Sequence, residues 1–244
     1  MKQSIFTILS NTALTDSVYK MVLSGDTSAI TAPGQFVNIQ LTGKFLRRPI
    51  SVCDYDDTTL TIIYKVVGKG TEQMSAMAAG EKLDILTGRG NGYDLSITGD
   101  HPVLLGGGVG VPPMYNLAKS LLAQGKKVSV ILGFNTKSEI FYEEAFKALG
   151  CRVAVTTVDG SYGIKGFVTD ALPESYTHFG GCGPEPMLKA VYRATTTSGQ
   201  MSFEERMGCG FGACMGGSCK TLTGNKRICK DGPVMKKEEI LWEA

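Results

Sequence analysis

The chain has 244 residues, with 25 Lys+Arg against 23 Asp+Glu and a formal charge of +2. So even a balance gives no electrostatic footprint for nucleic acid or an anionic membrane, and 43% apolar with 20% charged residues excludes a disordered chain. Two counts are unusual: 31 glycines, and 7 cysteines of which four fall between Cys209 and Cys229.

The first twenty residues lack the apolar centre of an export signal and alternate like a strand. Ser4–Leu9, Val18–Leu23, Gln35–Leu41 and Thr59–Lys65 are short, β-branched or aromatic, and separated by turn residues such as Pro33-Gly34. Many strands at this spacing predict an antiparallel barrel, interrupted by a short helix around Glu72 to Ala79 that Gly80 ends. After Asp100 the pattern changes. Val103-Leu104-Leu105 reads as a buried strand, Gly106-Gly107-Gly108-Val109-Gly110 as a turn, and Met114, Leu117, Ala118, Leu121 and Leu122 as one apolar helix face stopped by Gly125. A strand over Lys127–Phe134, a helix over Glu139–Leu149 capped by Ser138, and a strand over Arg152–Val158 follow. His178-Phe179-Gly180 then leads through Gly181-Cys182-Gly183-Pro184 into a helix through Tyr192. Strand, glycine turn, helix, strand is the order of a parallel α/β layer. The uncharged stretch 101–118 holds four glycines and three prolines, which makes it a poor membrane span. The expectation is a multi-domain α+β protein of the cytoplasm in three units: a barrel over 1–99, an α/β parallel-sheet domain over 100–199, and a small cysteine-bearing domain over 200–244.

The two glycine turns lie where an α/β sheet places ligands, past a strand's carboxyl end and before a helix. Glycines there either admit a pyrophosphate to the backbone N–H groups or simply make a tight turn. Together, Gly106, Gly107, Gly108 and Gly110 with Gly181, Gly183 and Pro184 face one crevice, which favours a nucleotide. In the barrel unit, Arg48 and Ser51 offer fork and hydroxyl donors to a phosphate, or are an ordinary surface pair. The tail places Cys209, Cys214, Cys219 and Cys229 in 21 residues, with five glycines over 208–217. In a reducing compartment such a cluster binds metal more readily than it forms disulfides. Its x4 spacings fit an iron–sulfur cluster, with zinc as the other reading. Cys53 and Cys151 read as buried small hydrophobes, and His101 and His178 as ordinary histidines.

Taken together these motifs resemble the ferredoxin–NADP reductase-like flavoproteins, and more closely the electron-transfer subunits of class 1B dihydroorotate dehydrogenase. The resemblance runs the length of the chain. It is carried by Pro33-Gly34-Gln35-Phe36-Val37, Arg48-Pro49-Ile50-Ser51, Gly68-Lys69-Gly70-Thr71, Gly90-Asn91-Gly92, the stretches 106–113 and 181–187, Glu205 to Cys214, and Ile228 to Val234. It implies FAD on the barrel, held by Arg48, Pro49, Ile50, Ser51, by Ile63, Tyr64, Lys65, and by Gly70 and Thr71. It implies NAD at the two glycine turns with Cys182 near the hydride-transfer position, and a [2Fe–2S] cluster on the four tail cysteines.

The resemblance further implies that electrons pass from the reduced FMN of a catalytic partner through the cluster and FAD to NAD+, in support of dihydroorotate oxidation to orotate in pyrimidine biosynthesis. The assembly implied is a heterotetramer, with no nucleic acid and no membrane. A nicotinamide exchanges two electrons as hydride and a cluster one, so a flavin that does both belongs between them. Phe134-Asn135-Thr136-Lys137 offers one lysine and no arginine to a 2′-phosphate, which favours NAD over NADP. One position departs from the family pattern, which places a cysteine at 217. Here 217 is Gly, and Cys219 is the nearest thiol. Two other readings are a flavin/iron–sulfur subunit of an NADH-dependent ferredoxin:NADP oxidoreductase or sulfide dehydrogenase, and a non-enzymatic docking module with a zinc-bound tail.

Overall fold

The structure, a computed structural model, describes residues 1–204, 207 and 217–242. Six strands, β1 (Lys2–Ala13), β2 (Val18–Ser24), β3 (Phe36–Gln40), β4 (Arg48–Tyr55), β5 (Thr59–Lys65) and β6 (Lys82–Arg89), close an antiparallel barrel in the order β1-β2-β5-β4-β3-β6. Alternation drives it: every second residue of β6 is buried, and Phe6, Met21, Ile39 and Ile62 are wholly enclosed. β1 runs well past the apolar stretch that marks it in sequence. A register shift between Ile8 and Ser10 lets its first half pair with β6 and its second with β2.

The short helix of the barrel, α1 (Lys69–Ser75), starts and stops earlier than the sequence suggests. The Thr71 hydroxyl draws the start back, accepting from Val67 N at 2.9 Å and donating to Gly68 O at 3.1 Å. Asn11 on β1 sets the stop, its amide donating to the carbonyls of Met74 and Met77 at 2.9 and 3.0 Å.

The second unit is a sheet of β7 (Pro102–Gly107), β8 (Ser129–Phe134), β9 (Arg152–Thr157), β10 (Ile164–Lys165), β11 (His178–Cys182) and β12 (Gly199–Ser202), all parallel. Helix α2 (Val111–Ala123) follows β7 and buries Met114, Leu117 and Leu121 against the sheet. Gly125, at φ +78°, takes the left-handed turn that ends it. The predicted helix over Glu139–Leu149 divides. Residues 137–139 form a single 3₁₀ turn in which Ser138 caps nothing, and α3 begins at Glu143 and ends at Leu149. Tyr142, at φ +67°, breaks the run because Phe141 turns into the core against Phe134 while Tyr142 turns to Tyr115. Helix α4 (Glu185–Ala194) follows β11.

Beyond 202 the described chain forms a hairpin of β13 (Ser218–Thr221) and β14 (Gly224–Arg227), a turn of helix α5 (Ile228–Asp231) and β15 (Val234–Lys236). β15 adds antiparallel to β12, so the sheet reads β10-β9-β8-β7-β11-β12-β15. Strands of three or four residues are too short to leave a periodic signal, and this stretch reads as irregular in sequence. Asn91, just past β6, fastens the tail to the barrel: its amide donates to Val234 O at 2.6 Å and accepts from Val234 N at 3.1 Å. No helix among the described residues is long and apolar enough to cross a membrane.

Candidate functional site

The barrel and the sheet enclose a cavity of about 1770 Å³, above the roughly 300–1,000 Å³ of a single small-ligand pocket. Its barrel wall brings together all nine residues expected there: Arg48 to Ser51 on β4, Ile63 to Lys65 on β5, and Gly70 and Thr71 on α1. The Arg48 guanidinium donates to the Leu46 carbonyl and lies across Gly70, where any Cβ would overlap it. Glycine at 70 therefore admits the cation to the cavity wall. The Thr71 hydroxyl is spent on the turn before α1, so its part is to shape the loop. Tyr64 donates to Asn11 Oδ1 at 3.0 Å and stacks on Tyr19, and burial pushes its phenol up to about 12. Asn11 thus anchors both β5 and the end of α1, though nothing in its local sequence marks it. Thr15, Ser17 and Val18 also line this wall without a motif to announce them.

On the sheet side, the chain runs outward from β7 through β8, β9 and β10, then returns to place β11 on β7's other edge. Strand order reverses there, and the crevice outside the carboxyl ends of such a pair is where open α/β sheets bind ligands. Gly107, which ends β7, and Gly108 and Gly110 beyond it, with Cys182, which ends β11, and Gly183 and Pro184 beyond it, line the cavity at this point. Gly106 and Gly181, each one residue further from the end of its strand, do not. A Cβ at Gly106 would stand 2.8 Å from Val111 Cα, so that glycine lets α2 pack on β7. At Gly110 a Cβ would fall on the Cys182 carbonyl, so the two turns touch through bare backbone. These glycines let the turns and α2 pack through bare backbone, while at Gly108 nothing lies within 4 Å of a Cβ; the cavity that Gly108 and Gly110 border at the N-terminus of α2 fits a nucleotide pyrophosphate.

Lys137, the one cation of the loop after β8, lies 5.8 Å over the Tyr162 ring and does not line the cavity; Glu139 does. Cys182 is partly exposed, with its thiol pushed up to about 12, chiefly by burial and slightly by the charge of Glu204, while a hydrogen bond from Ser202 opposes the shift. Ser202, Phe203 and Glu204 complete the wall and are absent from the sequence reading, because what brings them here is the pairing of β12 with β11.

Cys209 and Cys214 lie outside the described residues. Cys219 sits on β13 opposite Lys226, and Cys229 is buried in α5. Ile228 N donates to Gly217 O at 3.0 Å, which sets position 217 beside the residue before Cys229. Cys219 is two residues further along, about 7 Å at strand spacing, and lines a smaller cavity with Glu204 and Trp242. Arg89, largely buried at the end of β6, donates to Cys229 O at 3.4 Å.

Comparison with known proteins gives a consistent result. The iron–sulfur cluster binding domain of dihydroorotate dehydrogenase B matches residues 204–241, and the oxidoreductase NAD-binding domain matches 104–193. The dihydroorotate dehydrogenase B (NAD(+)) electron transfer subunit of Bacillus pumilus is 43% identical, over 98% of each chain. That of Fusobacterium nucleatum is 42% identical, over 98% of this chain and 99% of its own. Among solved structures, the NADH-dependent reduced ferredoxin-NADP oxidoreductase superposes with a TM-score of 0.87 at 29% identity, over 97% of this chain and 90% of that one. A ferredoxin NADP+ reductase from Neisseria gonorrhoeae with bound FAD and NADP has a TM-score of 0.69 at 19% identity, over 80% and 90%, a likeness of fold alone.

Proposed function

We propose, since the chain belongs to the electron transfer subunits of dihydroorotate dehydrogenase B, that it takes electrons from a catalytic partner subunit and delivers them as hydride to NAD+. The observation that carries this reading is the cavity that the barrel and the sheet share. The nine barrel residues face the two glycine turns of the strand-order reversal across one continuous space, with Cys182 in its wall.

FAD, when bound, supplies the exchange between one-electron and two-electron carriers that links a [2Fe–2S] cluster to a nicotinamide. The chain's own residues bind and orient. Arg48 offers a charge-assisted donor to the flavin pyrophosphate, and Gly70 leaves room on α1 for the guanidinium to lie at the cavity wall. Ile63 to Lys65 and Pro49 to Ser51 form the wall along the flavin. Gly107, Gly108 and Gly110 with Gly183 and Pro184 admit the NAD pyrophosphate to bare backbone, and Cys182 stands beside the reacting nicotinamide. The thiol stays protonated throughout the neutral range, so it adds no charge next to the hydride acceptor. Cys209, Cys214, Cys219 and Cys229 hold the cluster as soft thiolate ligands, on a tail that Asn91 and Arg89 fasten to the barrel.

The partner is an FMN-containing subunit that oxidises dihydroorotate to orotate, and the assembly is a heterotetramer of two subunits of each kind. The likeness to the NADH-dependent reduced ferredoxin-NADP oxidoreductase supports a second reading, in which the partner handles ferredoxin and NADP instead. Co-expression with a dihydroorotate dehydrogenase catalytic subunit separates them. The first reading predicts a stable complex with about two irons per copy of this chain that forms NADH from dihydroorotate and NAD+. A chain that carries zinc, or a complex inert to dihydroorotate, overturns it.

A further inference from the structure

β4 carries one residue more than β5 can pair. Val52 lies opposite Ile62 and Asp54 opposite Thr61, so Cys53 between them is a bulge. In an unbroken strand Asp54 would share the face of Val52, which points into the barrel. The extra residue turns it outward instead, opposite Thr61, which stands between the inward-facing Leu60 and Ile62. Cys53 faces outward too and is wholly buried there, in one apolar core with Val18 and Ile63 of the barrel and Met114, Leu117 and Leu121 of α2.

What Asp54 meets on that side is α2. Asn116 Nδ2 donates to Asp54 Oδ1 at 3.1 Å, and Lys119 Nζ donates to Oδ1 and Oδ2 at 2.9 and 3.0 Å. A carboxylate only accepts, so the Asn116 amide is fixed with its N–H groups toward the barrel. Its Oδ1 is buried with no partner among the described residues. A half-satisfied buried amide costs stability that an apolar side chain of similar size would not, so what the asparagine supplies at this position is its bond to Asp54. The ion pair adds direction more than strength, since Lys119 is half exposed.

The place of this clamp gives it a task. β4 and α2 both start at the cavity: Arg48 to Ser51 line it from the barrel, and Gly108 and Gly110 from the sheet. Asp54 lies three residues past Ser51, about 10 Å along a strand, and Asn116 six residues past Gly110, about 9 Å along a helix. Asp54, Asn116 and Lys119 themselves stand outside the cavity wall. Apolar contact between Cys53 and α2 is non-directional, whereas three bonds to one carboxylate fix where the helix stands along the strand.

We infer that Asp54, held by Asn116 and Lys119, is a positioning residue for hydride transfer: the clamp sets the distance between the barrel wall that carries the flavin and the glycine turn that carries the nicotinamide nucleotide. This role rests on the reading of those two walls given under the proposed function.

The test is anaerobic stopped-flow reduction of the FAD-loaded full chain by NADH, with the flavin rate, the Kd of NADH and of FAD, and the long-wavelength charge-transfer absorbance as readouts. A misplacement of about 1 Å costs up to roughly 100-fold in rate. Asp54→Ala and Asn116→Leu are expected to slow flavin reduction by about 10-fold and to weaken the charge-transfer band, with both Kd values little changed. Asp54→Asn, which keeps an oxygen at the Oδ1 position that Asn116 and Lys119 both reach, recovers most of the rate. Lys119→Met, on the half-exposed side, gives a smaller loss in the same direction and serves as the test if the other two deletions do not fold. The inference is overturned if the folded deletions lower Tm yet leave rate and band as in the parent, or if the whole loss lies in the Kd values. A parent flavin that NADH leaves oxidised contradicts the reading of the two walls itself, and the clamp's role falls with it.

Discussion

The two walls of the cavity are built on opposite principles. The barrel wall presents side chains: Arg48 across α1, Tyr64 pinned by Asn11, and Ser51 on β4. The sheet wall withholds them: Gly107, Gly110 and Gly183 border the cavity with no side chain, and Gly110 rests against the Cys182 carbonyl. A wall of side chains can lose one contact and keep its shape, whereas a wall of bare backbone has no slack. Loss of a group on the first is an affinity effect, and addition of one on the second is a steric effect that reaches both turns.

Gly110→Ala should give the largest effect. The new methyl must displace the Cys182–Gly183 backbone, so NADH-driven flavin reduction is expected to fall by about 100-fold or more, while FAD remains bound in a fluorescence titration. Loss of FAD together with NADH would show that the walls are not independent. Arg48→Ala removes one charged donor worth about 1.5–3 kcal/mol. It should weaken FAD binding by roughly 10- to 100-fold with Tm of the apo chain little changed. Unaltered FAD affinity would strike Arg48 from the barrel wall.

The tail offers a third case, in which thiols replace both devices. With Cys219 as third ligand, Cys219→Ser should lower bound iron and bleach the cluster's visible spectrum, whereas Gly217→Cys should leave iron content equal or higher. Iron unchanged in Cys219→Ser would remove Cys219 from the ligand set.

The smallest expected effect is on stability. His178 opens β11, is 1% exposed, and has no partner for Nδ1 among the described residues. Burial holds its imidazole below the usual range; Lys126 adds to this, and Glu238 and Asp94 oppose it. A depressed histidine is neutral when folded and takes up a proton more readily when unfolded. Its contribution is therefore complete above the ordinary histidine pKa of about 6.5 and is lost as pH falls through the lower folded value. Tm should drop between pH 7.5 and 5.5, less steeply in His178→Gln, and an equal slope in both proteins would contradict this.

Much of this was legible because it is local. Alternation in Thr59–Lys65, the apolar face of α2 and the two glycine turns each carry their signal within a few residues, so barrel, sheet and both faces of the cavity follow from sequence. What escaped depends on distant partners. Asn11 gains its role only when the closed barrel sets the end of β1 against α1 and within reach of the Tyr64 side chain. Ser202 enters the site through its register with Cys182, and Asp54 meets α2 through the bulge that β4 makes against β5. The start of α3 moved because Tyr142 answers to Tyr115 rather than to its own helix. Lys137, the one lysine the loop after β8 offers, lies over Tyr162 and away from the cavity, which agrees with the sequence's preference for NAD over NADP.

The central claim is that flavin and nicotinamide meet in this one cavity. Anaerobic titration of the FAD-loaded chain with NADH tests it most directly. The account predicts that the flavin's visible absorption bleaches with rising NADH and that Gly110→Ala slows this by about 100-fold or more without release of FAD. A flavin that stays oxidised in excess NADH would contradict it.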